Sequence, residues 1–222
     1  MGQNEILFLI HLGALLTATL YALRSGPLAA TLLIAVEALL ANLFVVKEIS
    51  LFGFSATPTD GFAVASLYGL TLIREFYGKE AAIKAAGLSI VTLLFFALMA
   101  VIQLSYFPSA EDKTQGAFLT VLGASPRIFL ASLSVYAIVQ QIDLWFFGRL
   151  KKEWPLFARI SATLIFTETI DTVLFTFLGL YGIVASIGSI LVVSLIVKWI
   201  AIGCSTPFAL LARRVVRPLD VL

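Results

Sequence analysis

The chain has 222 residues, 60% of them hydrophobic and 13% charged, with a mean hydropathy of +1.04 and a net charge of +2. That hydropathy excludes an ordinary soluble domain and places the chain among all-α, polytopic membrane proteins; the small net charge speaks against nucleic acid as a partner. One cysteine (Cys204) and one histidine (His11) leave no intrachain disulfide and too few nitrogen or sulfur ligands for a metal site.

A bilayer-spanning helix needs about 20 mostly apolar residues. On that rule seven spans are expected, at 5–23, 27–46, 61–77, 83–105, 126–149, 155–178 and 183–212. The first lacks a basic flank and follows Glu5, so it reads as a retained helix rather than a leader, and His11 within it reads as structural. The segment from Lys47 to Asp60 is too short and polar to span. It reads as a surface loop or a re-entrant piece packed within protein. The stretch 114–124 is apolar but brief, which suits an interfacial helix, with Ser125 as N-cap and Pro126 at the first position of the next span. The last span is long and is expected to project into water or to break near Pro207. Small residues at its start (Gly182, Ala185, Ser186, Gly188, Ser189) permit close helix approach, within one subunit or, as the alternative, between copies of a homo-oligomer. The whole of 1–222 is thus one transmembrane domain in the lipid bilayer, with 126–178 a helix hairpin inside it.

The basic residues fall on one side. Arg24, Arg74, Lys79, Lys84, Arg149, Lys151, Lys152, Arg213, Arg214 and Arg217 occupy alternate loops or the C-terminal end, against Lys47 and Lys113 on the other side. The positive-inside rule then puts the C-terminus in the cytoplasm and the N-terminus outside, a partition that seven spans satisfy and six would break.

Seven ionisable residues lie within the expected spans: Glu37, Arg127, Asp143, Arg159, Glu168, Asp171 and Lys198. Such residues face the bundle interior and pair with one another or mark a functional site. The hairpin repeats one pattern, Gln140-x-x-Asp143-x-x-x-Phe147 and Glu168-x-x-Asp171-x-x-x-Phe175. At helical spacing each copy puts a polar group, a carboxylate and an aromatic ring on one stripe. Matched depth from the turn predicts cross-hairpin ion pairs Asp143–Arg159 and Arg127–Asp171, leaving Glu37 and Lys198 alone. Four acids against three bases leave one carboxylate over, and Glu168 is the expected one. The two stripes are expected to face each other across one cavity. There the carboxylates would accept N–H donors from a flat heterocycle and the rings would cover its faces.

The order and spacing of several fragments resemble the queuosine-precursor transporters, the VUT family of vitamin-uptake transporters. They are Ala41-Asn42 with Lys47-x-x-Ser50-Leu51-Phe52-Gly53-Phe54; Glu75-Phe76-Tyr77-Gly78; Pro126-Arg127-Ile128 through Gln140-x-x-Asp143 to Phe147; and Arg159 through Asp171-Thr172 to Phe175. The resemblance implies an inner-membrane importer of 7-deazaguanine bases used in tRNA modification, with no cofactor. It implies a substrate site built from Asn42, Arg127, Gln140, Asp143, Phe147, Arg159, Glu168, Asp171 and Phe175. Three positions depart from the family's usual pattern: Thr71 stands for Asp, Glu168 for Gln and Ser161 for Asn. Two other readings compete. A substrate-capturing component of a multi-subunit importer would take its ATP drive from other chains, since no Walker A pattern is present. An intramembrane enzyme would use Glu168 and Asp171 as acid and base, but no nucleophile motif accompanies them, so the chain is read as a carrier and not an enzyme.

Overall fold

Glycines punctuate the apolar runs. Gly26 and Gly78 have positive φ and act as single-residue connections, so a helix can end and its antiparallel neighbour start at once. Helix α1 (Gln3–Ser25) turns at Gly26 into α2 (Pro27–Leu43), where Pro27 takes the first helical position; α3 (Asp60–Tyr77) turns at Gly78 into α4 (Lys79–Ser105). Then follow the short α5 (Gln115–Leu122), α6 (Pro126–Arg149), α7 (Leu156–Phe175) and α8 (Ile187–Val215). This computed structural model describes residues 2–123, 126–150, 152–182 and 187–216, without the side chains of Ser55, Pro126, Arg127 and Ser189. Ser125, Ala185 and Ser186 therefore lie outside the described residues.

Helix α3 is the central element. Twelve of its residues between Gly61 and Ile73 are buried, and it touches α1, α2, α4, α6, α7 and α8. The bundle is apolar on the outside: Ile10, Leu28, Phe95 and Val101 are more than half exposed. Gln140, Asp143, Glu168, Thr71 and Ser66 are fully buried instead. Polar groups inside and apolar side chains outside is the arrangement that lipid selects. Five helices are long and apolar enough to cross a membrane: α1, α4, α6, α8 and α7 with its extension to Leu180. The remaining two expected spans are also helical. Helix α2 is a shorter apolar helix of 17 residues, and α3 carries charge near both ends.

Two tied ends define the bundle. At one, the Tyr77 hydroxyl donates to the Leu23 carbonyl and the Arg74 guanidinium donates to the Leu144 carbonyl, joining the C-terminal parts of α1, α3 and α6. At the other, the segment read as a loop or re-entrant piece folds as a β-hairpin. Strands β1 (Ile49–Leu51) and β2 (Phe54–Ala56) pair antiparallel with Ile49 opposite Ala56 and Leu51 opposite Phe54. Its two-residue turn puts Phe52 and Gly53 at positive φ. The Phe52 conformation is unfavourable for a side-chain-bearing residue and is held by its N–H donating to the Glu5 carboxylate at 2.8 Å. Asn4 donates to the Ser50 carbonyl at 2.9 Å beside it. The hairpin thus seals onto the start of α1.

Two other expectations meet the structure here. The interfacial stretch is the eight-residue α5, with no buried residue. The last span does not break at Pro207; α8 runs through it to Val215. The Ser205 hydroxyl donates to the Ile202 carbonyl at 2.7 Å, a local bond of the kind that accommodates a proline within a helix. His11 is structural as expected, edge-on to Phe62 with ring centroids 4.5 Å apart.

Candidate functional site

Helical spacing sets one polar stripe on each of two neighbouring helices. Helix α6 carries Ser132, Tyr136, Gln140, Asp143 and Phe147 at intervals of three or four; α7 carries Arg159, Thr163, Thr167, Glu168, Asp171, Thr172 and Phe175. Threonines suit a buried helix because each hydroxyl can return to its own backbone: Thr163, Thr167 and Thr172 donate to the carbonyls four residues earlier, at 2.8, 2.9 and 2.8 Å. After Phe175 the helix widens into a π-helical turn, Thr176–Leu180, a deformation frequent beside functional sites.

That widening borders a cavity of about 590 Å³. Its walls come from α2, α3, α6, α7 with the π turn, α8, and the β2 strand; Asn42, Asp60, Ser66, Ser132, Tyr136, Asp171, Phe175 and Lys198 supply most of its chemistry. The polar groups are cross-linked between helices. The Ser132 hydroxyl donates to Asn42 Oδ1 at 2.7 Å, and the Asn42 amide donates to the Ala38 carbonyl at 3.0 Å. Ser66 and Tyr136 share a hydrogen bond at 3.2 Å. The Ser194 hydroxyl donates to both oxygens of Asp60 at 3.2 Å. Lys198 is the hub. Its ammonium lies 2.6 Å from Asp171 Oδ2 and 2.9 Å from Glu168 Oε2. Asp171 borders the cavity, whereas Glu168 is wholly buried behind the ammonium.

A second polar cluster closes the opposite end. The Thr71 hydroxyl lies 3.2 and 3.1 Å from the two oxygens of Asp143 and shares its one proton between that carboxylate and the Leu67 carbonyl at 2.9 Å. Arg159 Nη1 lies 3.0 Å from Glu75 Oε2, and its guanidinium sits 4.3 Å above the centre of the Phe147 ring. Arg213 reaches the same Glu75 at 3.8 Å. Three helices therefore converge on one carboxylate.

Of the two expected ion pairs, Asp143–Arg159 is not formed. Arg159 pairs with Glu75 and not with Asp143, because the end of α3 lies against both helices of the hairpin and offers each a nearer partner. Asp171 pairs with Lys198, which is therefore not alone; the Arg127 side chain, its expected partner, lies outside the described residues. Glu168 is not the carboxylate left over, since Lys198 holds it as well. Of the four acids, two have no ion pair among the described residues: Glu37 on α2, buried, with one oxygen 3.5 Å from the Thr19 hydroxyl and the other unpartnered, and Asp143, met by the Thr71 hydroxyl. Nor do the two stripes share one cavity. Asn42, Asp171 and Phe175 line it; Gln140, Asp143, Phe147, Arg159 and Glu168 do not. Sequence reasoning did not place Thr71, Glu75, Asp60, Tyr136 or Ser194 in the site, though Thr71 and Glu75 stand among the positions compared with the family pattern. A signal existed for two of them: Thr71 and Glu75 stand four apart on α3 and so share a face.

An open cavity of this size suits a small molecule, and its wall offers carboxylates as acceptors, an ammonium as donor and an aromatic face. Set inside an apolar-coated helical bundle, such a cavity defines a membrane transporter. The chain belongs to the Putative vitamin uptake transporter family, whose model matches residues 61–212. It is also similar to the Probable queuosine precursor transporter of Bacillus subtilis (strain 168), with 28% identity over 183 residues, 79% of this chain and 80% of that one. No solved structure matches the chain.

Proposed function

We propose that this protein imports queuosine precursors, the 7-deazaguanine bases, across the inner, cytoplasmic membrane. In this reading it spans the membrane seven times, with the N-terminus and the β-hairpin outside and the C-terminus in the cytoplasm. The observation that carries the reading is the pairing of Asp171 with Phe175 on the wall of a 590 Å³ cavity that also holds Asn42 and Lys198. A guanine-like edge presents adjacent N–H donors and a carbonyl. Asp171 accepts the donors, the Lys198 ammonium or the Asn42 amide meets the acceptor, and Phe175 covers a face. The similarity to a protein named as a queuosine precursor transporter supports the same substrate class.

The test is calorimetric binding of purified protein to 7-cyano-7-deazaguanine, 7-aminomethyl-7-deazaguanine, guanine and a pterin, with uptake measured in cells lacking their own carrier. The deazaguanines should bind and be taken up. Asp171→Asn should weaken binding about ten- to a hundredfold, the cost of losing hydrogen bonds to a charged acceptor. Binding of the pterin but of no deazaguanine would overturn the assignment.

A further inference from the structure

The two copies of the polar pattern lie on antiparallel helices, so they run through the bundle in opposite directions. Ser132 on α6 meets Asn42 at the cavity end, and the Leu144 carbonyl meets Arg74 at the far end. Helix α7 starts at the far end, where Arg159 meets Glu75, and finishes with Phe175 in the cavity wall. From the Gln140 and Glu168 level, one copy therefore proceeds through Asp171 to Phe175 toward the cavity. The other proceeds through Asp143 to Phe147 toward the Glu75 cluster. One copy is open and the other is shut.

The shut copy has the marks of a site without its ligand. Gln140 is fully buried, yet neither its amide nitrogen nor its amide oxygen has a partner among the described residues. A buried amide with both ends unmatched is costly and unusual in a native interior. The Phe147 face is covered by the Arg159 guanidinium, the place that a flat ring would take if the arginine moved. What holds the arginine there is Glu75, and Glu75 in turn is shared with Arg213 of α8. The closure is thus these ion pairs, the Arg74 and Tyr77 hydrogen bonds at the same end, and the buried Leu144, Leu156 and Ile160 packed beside them. The interior beneath them is polar. Carriers built on inverted repeats hold their substrate near the bilayer midplane, where the repeats meet, and expose that site to each side in turn.

We propose that Gln140, Asp143 and Phe147 form a second half-site for the same flat, N–H-donating heterocycle, which opens toward the Arg149 end of the bundle when the Glu75–Arg159–Arg213 cluster separates. This rests on the reading that the chain carries a deazaguanine base. In the opened state Asp143 accepts the N–H donors, the Gln140 amide matches the remaining edge, and Phe147 takes the ring face that Arg159 vacates. Thr71 steadies the Asp143 carboxylate in the closed state through its hydroxyl.

The test places a single reporter, Leu144→Cys, on a Cys204→Ser background in liposomes, with a membrane-impermeant maleimide applied from the Arg149 side. Leu144 is buried here and should label slowly. Glu75→Gln removes the shared carboxylate and should raise the labelling rate about tenfold or more, the shift that loss of roughly one ion pair's free energy gives. Saturating 7-cyano-7-deazaguanine should then slow it again by occupying the half-site. A rate unmoved by Glu75→Gln, or raised but unprotected by the base, overturns the proposal. A second measurement stands if Glu75→Gln does not fold. Asp143→Asn should reduce counterflow of the base at least tenfold more than it reduces equilibrium binding, and equal reductions overturn it. Failure of the parent reading looks different: the protein without the Glu75 or Asp143 substitution then binds no deazaguanine at all.

Discussion

Lys198 offers the sharpest test of how the buried charges are organised. Its ammonium is held by Glu168 and Asp171 at 2.9 and 2.6 Å, with side-chain exposures of 4% for Lys198, 0% for Glu168 and 23% for Asp171. Lys198→Met keeps the length of the side chain and deletes the charge. Asp171 borders the cavity and can recover some hydration there, so the larger part of the cost falls on Glu168. Stranding one partner of a buried ion pair costs about 3–5 kcal/mol. For a chain of this size about 1 kcal/mol moves the melting temperature by roughly 2–4 °C, so a loss of about 6–20 °C is expected. The control is the cycle. Glu168→Gln substitutes a neutral group of the same volume, so Lys198→Met made in that background should cost less, by a coupling of roughly 1–3 kcal/mol. Thermal unfolding of the four purified proteins in one detergent, followed by tryptophan fluorescence, measures the coupling. If Lys198→Met lowers the melting temperature equally with Glu168 and with Gln at that position, Lys198 is not its partner and the assignment of the hub is wrong.

Two further substitutions probe the opposite end. Thr71→Val removes both hydroxyl contacts to Asp143 and should destabilise by about 1.5–3 kcal/mol, whereas Thr71→Ser should stay near the parent protein; equal melting temperatures for the Val and Ser variants would refute the contact. A Cβ added at Gly148 would fall on the Arg74 guanidinium, so Gly148→Ala is expected to displace that end of the arginine and weaken its bond to the Leu144 carbonyl. The expected loss is about 1–3 kcal/mol, and pairing it with Arg74→Ala should shrink that loss if the clash is the cause; a thermal melt of each variant and of the pair decides it.

Much of the fold was legible because lipid imposes a simple rule. Runs of about 20 apolar residues become helices, and each of the six expected starts that falls on a described residue lies within four residues of the observed one. The hairpin at Ile49–Ala56 was not legible in the same way. Its turn has Phe52 at a left-handed position that favours Gly or Asn, so the usual two-residue turn signal is absent, and the contact that offsets this comes from Glu5, far away in sequence. The run through Pro207 misled for a related reason. A proline is a break signal taken alone, but an apolar helix of 29 residues packed along its length tolerates one.

The site was legible in its parts and not in its partners. The repeat on α6 and α7 identified which residues face inward: Gln140, Asp143, Phe147 and Glu168 are buried, and Asp171 and Phe175 are partly so. Depth along the hairpin then suggested who pairs with whom, and there it failed. Depth ranks candidates on two helices only, while α3 and α8 supply partners at the same levels. Glu75 from α3 reaches Arg159 and Lys198 from α8 reaches Asp171, both at 3.0 Å or less. The antiparallel direction of the two helices carries the deeper lesson. Equal spacing makes the copies look like one facing pair, yet the chain reverses between them. The pattern that leads from Glu168 toward the cavity therefore leads from Gln140 away from it. The departure at Thr71 fits the same geometry. An Asp there would set a second carboxylate against Asp143, whereas the threonine hydroxyl donates to it. The carboxylate at Glu168, in turn, answers a lysine one helix away rather than anything on its own.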